Sequence, residues 1–474
     1  MKKITLLLTL LMLVLVSAVN VAGQSVTTVR IWSWSQEQVE FFADMKELFE
    51  ARNPGIKLEF ETIVQDQYHT SLNLAFRGET APDIFFYADI HAPELNEMGY
   101  LRPVTEFLTP ELTERIPSEY ISEGAGAFQG EVYGLPAGSY RVARPGYLYY
   151  NRKVMSQFDL DPDRPPQTWS ELKEMSYYIT ENGNGEVFGL GVFARPANDL
   201  ERGLVGLAST LGLGTEHFDF RQGRFGYDSE EWVKLYEYAL ELKDSFFPGF
   251  STIDKSIGRV MFAQDRIAFY FDGIWMPSVW NEMGYDNIDY GVAPPPVPDS
   301  GRKGYHYLVP TAAPYWYMSS QTANPEVTWK VMEFMFSDEY QTEWVKRGFG
   351  YTPLNSVDNA VHTPDPKLRE ILTFADDISR LGVMPAMKNP EAGKVEGFSR
   401  ARALGAKMIW EIMTSCLIQN APASEFAARA KAYNEQVNEV FMEAVEDARR
   451  ERIHVSLEDF IFADWDPMKD YIVD

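Results

Sequence analysis

The chain has 474 residues, of which 45% are hydrophobic and 24% are charged, and its formal net charge is −26. This length exceeds what one compact core normally holds, so two lobes or domains are expected. The strong negative charge predicts a surface that repels nucleic acid and anionic lipid, so neither is an expected partner.

The first 23 residues have the pattern of a secretory signal peptide. Lys2 and Lys3 precede an apolar stretch that ends in small residues, and cleavage is expected after Ala22 or Gly23. Cys416 is the only cysteine in the sequence, so no thiol follows the signal to accept a lipid anchor. The sequence therefore predicts a periplasmic protein without a lipid anchor, and we expect it to be a monomer.

Strand and helix patterns alternate after the signal. TTVRIW predicts a strand, and Ser35 followed by Gln38 has the pattern of a capping box that starts a helix through about Arg52. IKLEFET alternates at period two, and PDIFFY, residues 82–87, is a continuous apolar run typical of a strand covered on both faces. Strands that alternate with helices in this way predict an α/β fold with a parallel sheet.

A second α/β region follows GEVYGLP. Buried strands are predicted at YLYYN, residues 147–151, and at RIAFYFDG, residues 266–273. Between them a helix is predicted to begin with Thr168 and Glu171 as its capping box. A long amphipathic helix is predicted from 424 to about 452. The chain is therefore predicted to contain two α/β regions.

The segments that carry a resemblance to a known family lie between about residue 28 and about residue 355. They are RIWSW with NPGIKLEF, TAPDIFFYAD, GYLRPV, GEVYGLP, YLYYNRKV with PQTWSELKE, FYFDGIW, YGVAPPPVP and NPEVTWKVMEFMFSDEYQTEWVKRGFGYTP. In their order and spacing they resemble the extracellular solute-binding proteins (family 1) of ABC importers, in the sugar-binding group that includes maltose-binding protein. The end of the chain, from about 453, departs from the family pattern as an atypical extension.

The resemblance implies a two-lobed periplasmic-binding-protein fold, with chain crossings between the lobes and a ligand cleft. Glycine and proline cluster at the expected crossings, near residues 135–139, 294–298 and 348–353. The predicted lobe bounds are 26–136 with 297–347 for lobe one, and 137–296 with 348–474 for lobe two.

The candidate site follows from the rule that open α/β sheets bind ligands beyond the carboxyl ends of their strands. Sugar rings stack on aromatic side chains, and their hydroxyl groups pair with planar polar groups. In this family a stacking tryptophan commonly occupies the position of Trp275, which follows Asp272-Gly273. The predicted ligand-binding residues are Trp32, Trp34, Ser35, Tyr87, Asp89, His91, Ser139, Tyr140, Arg141, Arg195, Trp275 and Trp316.

Each of these residues has a structural alternative, because aromatic residues make up 14% of the chain and serve more often in cores. Trp34 is favoured over Trp32 as the ligand-facing member of its pair, since it lies nearer the strand end. Packing competes with a cleft contact at Trp316, and a solvated loop competes with one at Arg195. Packing roles are predicted for Trp169, Trp329 and Trp344, and a structural role for Asp83.

The predicted function is capture of a sugar or oligosaccharide and its delivery to the membrane subunits of an ABC permease, without catalysis or a cofactor. The six histidines show no metal-binding spacing, and the sequence contains no GxSxG or phosphate-loop motif. Three alternatives stay open. Arg141, Arg144 and Arg195 would suit a uronate, a tryptophan cage would suit a quaternary ammonium solute, and a pair of carboxylates would suit a glycoside hydrolase.

Overall fold

The computed structural model describes residues 26–88, 92–122, 125–139, 146–213, 218–308 and 314–471. In these ranges the strands are β1 (Thr27–Ser33), β2 (Ile56–Thr62), β3 (Ile84–Ala88), β4 (Ala127–Phe128), β5 (Glu131–Val132), β6 (Gly134–Pro136), β7 (Tyr147–Asn151), β8 (Phe188–Gly191), β9 (Phe218–Asp219), β10 (Arg224–Phe225), β11 (Ile267–Asp272), β12 (Tyr290–Ala293), β13 (His306–Leu308), β14 (Pro314–Met318) and β15 (Ser379–Leu381).

The α-helices of the described ranges alternate with these strands through most of the chain and dominate its last third. They are α1 (Val39–Arg52), α2 (Gln65–Arg77), α3 (Ala92–Glu97), α4 (Pro110–Arg115), α5 (Arg152–Gln157), α6 (Trp169–Asn182), α7 (Leu200–Thr210), α8 (Glu230–Leu242), α9 (Lys255–Ala263), α10 (Met276–Glu282), α11 (Pro325–Met335), α12 (Asp338–Lys346), α13 (Asn359–His362), α14 (Pro366–Phe374), α15 (Pro385–Lys388), α16 (Glu396–Gln419) and α17 (Ala423–Arg450).

The chain divides into two compact units. The first comprises the residues up to Phe85 together with Met318–Phe336, and the second comprises Phe86–Tyr317 and Ser337–Asp474. These bounds differ from the lobes expected from the sequence, and the expected lobe bounds stay a prediction.

In the first unit β1 pairs in parallel with β2 on one side and β3 on the other, as the alternating pattern predicted. Helix α11 returns from far along the chain to this unit, where Phe334 lies 5.2 Å from Phe49, measured between ring centres. Asp83 has the predicted structural role, because its carboxylate accepts hydrogen bonds from the Arg30 backbone N–H (2.9 Å) and the Thr322 hydroxyl (2.7 Å). This unit therefore depends on contacts between residues distant in sequence.

The second unit contains a four-stranded sheet in the order β12–β7–β11–β8. Strand β7 is antiparallel to both β11 and β12, whereas β8 is parallel to β11. All residues of β7 and β11 are buried or nearly so, which confirms the continuous apolar runs as strands covered on both faces. Helices α7 and α9 both pack against β11, and they bring charged side chains to its carboxyl end.

The start of the first helix differs from the sequence prediction. A short 3-10 turn at Gln36–Gln38 precedes α1, and neither Ser35 nor Gln38 caps the helix through its side chain. The Ser35 side chain is buried, and its backbone N–H donates to the Ser33 hydroxyl at 3.1 Å. At α6, by contrast, the Thr168 hydroxyl accepts from the Glu171 backbone N–H, which is one of the two bonds of the predicted capping box, while the Glu171 carboxylate accepts from the Gln167 N–H.

The C-terminal segment, residues 453–471, is a packed part of the second unit. Phe460 is fully buried, and its ring centre lies 4.8 Å from that of Phe398 and 5.0 Å from that of Phe441. The Phe462 backbone N–H donates to the Phe220 carbonyl at 2.7 Å. The atypical extension therefore covers aromatic side chains that would otherwise face water.

Two of the expected crossings lie side by side in the second unit. The Ser139 N–H donates to the Tyr351 carbonyl at 2.7 Å. Gly348 adopts a φ of 74°, a conformation that glycine reaches without a steric penalty. Across the described ranges, no helix combines the length and the apolar character that a bilayer crossing requires.

Candidate functional site

Trp275 lies in the turn between the carboxyl end of β11 and the start of α10, where the sequence placed a ligand platform. Its side chain is half-buried, and its ring lies against Gly273, where an added Cβ would approach the ring to 2.2 Å. The indole N–H donates to Asp272 Oδ1 at 3.0 Å. The close approach to glycine and the hydrogen bond together fix the ring at the strand end.

Asp272 is the centre of a buried polar cluster beneath this ring. Its Oδ1 accepts from Arg202 Nη1 (3.0 Å), and its Oδ2 accepts from Arg259 Nη2 (3.2 Å) and the Tyr270 hydroxyl (2.9 Å). The side chain of Asp272 is 0% exposed. The buried carboxylate is therefore paired and hydrogen-bonded, which the low polarity of its surroundings demands.

The electrostatics of the cluster keep Asp272 ionised. Burial alone would raise its pKa, but the positive charges of Arg259 and Arg202, with hydrogen bonds from Gly273 and Tyr270, lower it to about 2. The Arg202 guanidinium also lies 5.8 Å from the centre of the Trp275 ring. The site thus combines an aromatic face with planar nitrogen donors, the two features that bind a sugar ring and its hydroxyl groups.

Glu201, beside Arg202 on α7, makes the stability of this unit depend on pH. Burial raises its pKa to about 7 from an ordinary 4.5. Because the folded state holds this proton more tightly than the unfolded state, stability is lost as the pH rises from about 4.5 through about 7. The Glu201→Gln variant is therefore expected to melt at a higher temperature than wild type at about pH 8, and at the same temperature near pH 4.

Thermal unfolding followed by circular dichroism at both pH values measures this effect. Glu237→Gln, at an exposed glutamate on α8, is the matched control, and its shift in melting temperature is expected to be equal at the two pH values. An equal shift at both pH values for Glu201→Gln would contradict the prediction.

In the first unit, Trp32 and Trp34 are both half-buried at the end of β1. The Trp32 carbonyl accepts from the Tyr68 hydroxyl at 3.1 Å, and the Trp34 ring meets the Tyr68 ring edge-on at 5.2 Å. Trp34 thus packs against α2 while part of its surface stays exposed. The preference for Trp34 as the ligand-facing residue, and a ligand role for buried Ser35, stay predictions.

Tyr87 and Trp316 are placed in the interior of the second unit. Trp316 is 4% exposed, and its ring lies 4.9 Å from that of Phe86. Tyr87 is 7% exposed, and its pKa is raised by burial first and by the charge of Glu94 second. Their burial offers no support for the predicted ligand contacts.

The remaining predicted residues differ in their exposure and in their partners. Ser139 is half-buried, and its hydroxyl accepts from the Tyr120 hydroxyl at 3.4 Å. Arg195 is exposed and forms an ion pair with Asp254 at 3.1 Å, so its charge is compensated locally. Outside the described residues lie Asp89, His91, Tyr140 and Arg141, together with Arg144.

Sequence reasoning missed Arg202 and Arg259 as members of the site. They lie 70 and 13 residues before Asp272, and no local pattern marks either of them. Asp272 itself carried a signal, because a carboxylate that ends an otherwise apolar buried strand must find a buried partner.

A cavity of about 850 Å³ also lies in the second unit, at the C-terminal segment. Its wall includes Trp169, Trp232 and Trp465, and none of the described residues predicted to bind ligand. The predicted packing role of Trp169 is confirmed by its stacking on Tyr238 at 4.2 Å and by its indole hydrogen bond to the Pro296 carbonyl. Volume alone does not identify a ligand site, so we place the candidate site at Trp275, where a half-buried aromatic ring lies beside nitrogen donors.

Comparisons with a family model and with known relatives point to the same class of protein. The model of the family described as bacterial extracellular solute-binding protein matches residues 33–342. A maltotriose-binding protein of Pyrococcus abyssi is 26% identical over 381 residues, which cover 77% of this chain and 74% of that protein. A periplasmic sn-glycerol-3-phosphate-binding protein of Escherichia coli is 22% identical over 345 residues, or 71% of this chain and 76% of that protein.

Solved structures share the fold. An ABC transporter solute-binding protein from Thermotoga lettingae, bound with α-D-tagatose, has a TM-score of 0.68 at 22% identity, and the match covers 87% of this chain and 99% of that one. The maltose-bound MalE3 of T. maritima has a TM-score of 0.66 at 18% identity and covers 87% and 100%. The two-lobed α/β fold predicted from the sequence is thereby confirmed.

Proposed function

Because the chain belongs to the family of bacterial extracellular solute-binding proteins, we propose that it captures a sugar or oligosaccharide in the periplasm and delivers it to an ABC permease. The observation that carries this proposal is the half-buried Trp275 ring, held at the carboxyl end of β11 by its hydrogen bond to Asp272. A rigid aromatic face beside nitrogen donors suits a pyranose ring, whose apolar C–H face stacks while its hydroxyl groups are hydrogen-bonded.

The mechanism in this proposal is a population shift between open and closed forms, and no bond is made or broken. A ligand favours the closed form only by the free energy with which it binds that form more tightly than the open form. Stacking of the ligand on Trp275 is a proposed source of this difference. The relatives named above that carry functional names are binding proteins, in keeping with a protein that does not catalyse a reaction.

A quaternary ammonium ligand is disfavoured by the charges at Trp275. Arg202 already lies over this ring, and Arg259 lies in the same cluster. A ligand cation placed on the ring would meet like charges where screening by water is weak. A sugar brings no positive charge to the ring and therefore meets no such repulsion.

The function is tested by thermal-shift measurements on the mature protein with maltotriose, maltose, digalacturonate and glycine betaine. At a concentration of about 100 times Kd, a true ligand is expected to stabilise the protein by about 2.7 kcal/mol. Stabilisation by a sugar, with the oligosaccharide recovered unchanged by chromatography, supports the proposal. Stabilisation by betaine alone, or hydrolysis of the oligosaccharide, would overturn it.

A further inference from the structure

The cluster at Trp275 holds more positive than negative charge. Arg202 and Arg259 share one carboxylate, that of Asp272, so these three groups sum to one positive charge. Lys255, the first residue of α9, adds a third cation. Its pKa is lowered by burial first and by the charges of Arg202 and Arg259, while the charges of Asp199 and Asp272 oppose this shift. Its side chain is partly buried, and its ammonium forms no hydrogen bond or ion pair with a described residue.

The neighbouring carboxyl groups do not remove this excess. Asp199 interacts with Arg202 and contributes one negative charge. Burial raises the pKa of Glu201 to about 7, so this carboxyl group is only partly ionised at neutral pH. Asp254 is already paired with Arg195. Among the described residues a local positive excess therefore persists, in a chain whose formal net charge is −26.

Arg202 has N–H donors that make no hydrogen bond with a described residue. A guanidinium group carries five N–H groups, and the Arg202 hydrogen bond in the described part of the chain runs from Nη1 to Asp272. Its Nε has no hydrogen-bond partner but is buried beyond the reach of a ligand, whereas its Nη2 makes no hydrogen bond with a described residue and its side chain is 25% exposed. Donors left without an acceptor in a partly buried site favour a ligand that brings one.

From this geometry we propose that the bound sugar is acidic, and that its anionic group pairs with Arg202 and Lys255 while its ring stacks on Trp275. The proposal rests on the sugar-binding function proposed above and names the ligand class of the same site. Guanidinium binds carboxylate and phosphate through two parallel N–H···O bonds, and the Lys255 ammonium adds a point charge beside it. A neutral sugar would leave the positive excess of the site uncompensated.

Calorimetric titration of the wild-type protein with matched ligand pairs tests the proposal. Digalacturonate is compared with galactobiose, and glucose 6-phosphate with glucose, so that each pair differs in its anionic group. The anionic member is expected to bind about 10- to 100-fold more tightly, and the pair that shows the larger ratio identifies carboxylate or phosphate. The ratio is expected to fall as salt is added, because ions screen the contact.

The Lys255→Gln variant tests the role of the cation separately. We expect it to weaken binding of the anionic ligand about tenfold or more while the affinity for the neutral partner changes little. Lys173→Gln is the control, since this lysine pairs with Glu241 on the surface of α6 and α8. A neutral sugar that binds as tightly as its acidic partner would overturn this proposal and leave sugar binding intact, whereas failure of every sugar to bind would overturn both.

Discussion

Replacing Asp272 with alanine is expected to lower the free energy of unfolding by about 3–5 kcal/mol. The carboxylate is fully buried, and its removal leaves Arg202 and Arg259 facing each other without a compensating charge. Losing one partner of a buried ion pair is much more costly than losing an exposed one, because the remaining charges regain only part of their hydration. Urea denaturation of the purified variants measures the loss.

Two further variants make this result interpretable. Asp272→Asn keeps the shape of the side chain but not its charge, and it is expected to be destabilised for the same reason if the alanine variant is too unstable to purify. Asp163→Ala removes an exposed partner of Arg152, at 72% exposure, and is expected to cost no more than about 1 kcal/mol. Equal stability of Asp272→Asn and Asp163→Ala would show that the buried charge does not hold the cluster together.

The Trp275→Ala variant is expected to bind the sugar ligand about 10- to 100-fold more weakly than wild type, while the protein stays folded. A central aromatic anchor commonly contributes about 2 kcal/mol or more to binding, and tenfold in affinity corresponds to about 1.4 kcal/mol. Asp272 keeps its hydrogen bonds from Arg202, Arg259 and Tyr270 after the indole is removed, so the cluster remains paired. Calorimetric titration with the best ligand of the screen measures the change.

Conservative and distant substitutions separate stacking from a general loss of structure. Trp275→Phe keeps an aromatic face and is expected to lose less affinity than the alanine variant. Tyr178→Ala removes an exposed aromatic side chain from α6, at 44% exposure, and is expected to leave the affinity unchanged. Wild-type affinity in Trp275→Ala would remove this residue from the site.

The strands were predictable where local sequence decides the structure. IFFY, residues 84–87, and the apolar parts of YLYYN and RIAFYFDG are continuous apolar runs, which are typical of strands covered on both faces, as β3, β7 and β11 are. The helix after β1 was predicted, but the predicted capping box of Ser35 and Gln38 was wrong. The Ser35 N–H donates to the Ser33 hydroxyl instead, and a 3-10 turn precedes α1. Cap geometry depends on this backbone conformation, which the residue types alone do not specify.

The site was predictable only in part. Trp275 followed from the motif that it shares with the family, since the residues before it are adjacent in sequence. Arg202 and Arg259 reach Asp272 because α7 and α9 pack on β11, and that packing is a property of the whole unit. Arg195, by contrast, was a reasonable candidate, but its charge is compensated by an ion pair with Asp254.

The packed C-terminal segment also sets an order of events during synthesis. Phe460, Phe462 and Trp465 cover rings such as Phe220 and Phe441, which the ribosome makes earlier. The first unit has all of its residues once Phe336 has been made, whereas the core of the second unit stays uncovered until the segment near Tyr471 emerges. The first unit is thus complete in sequence earlier, and the second can complete its folding only after the C-terminal segment has been made.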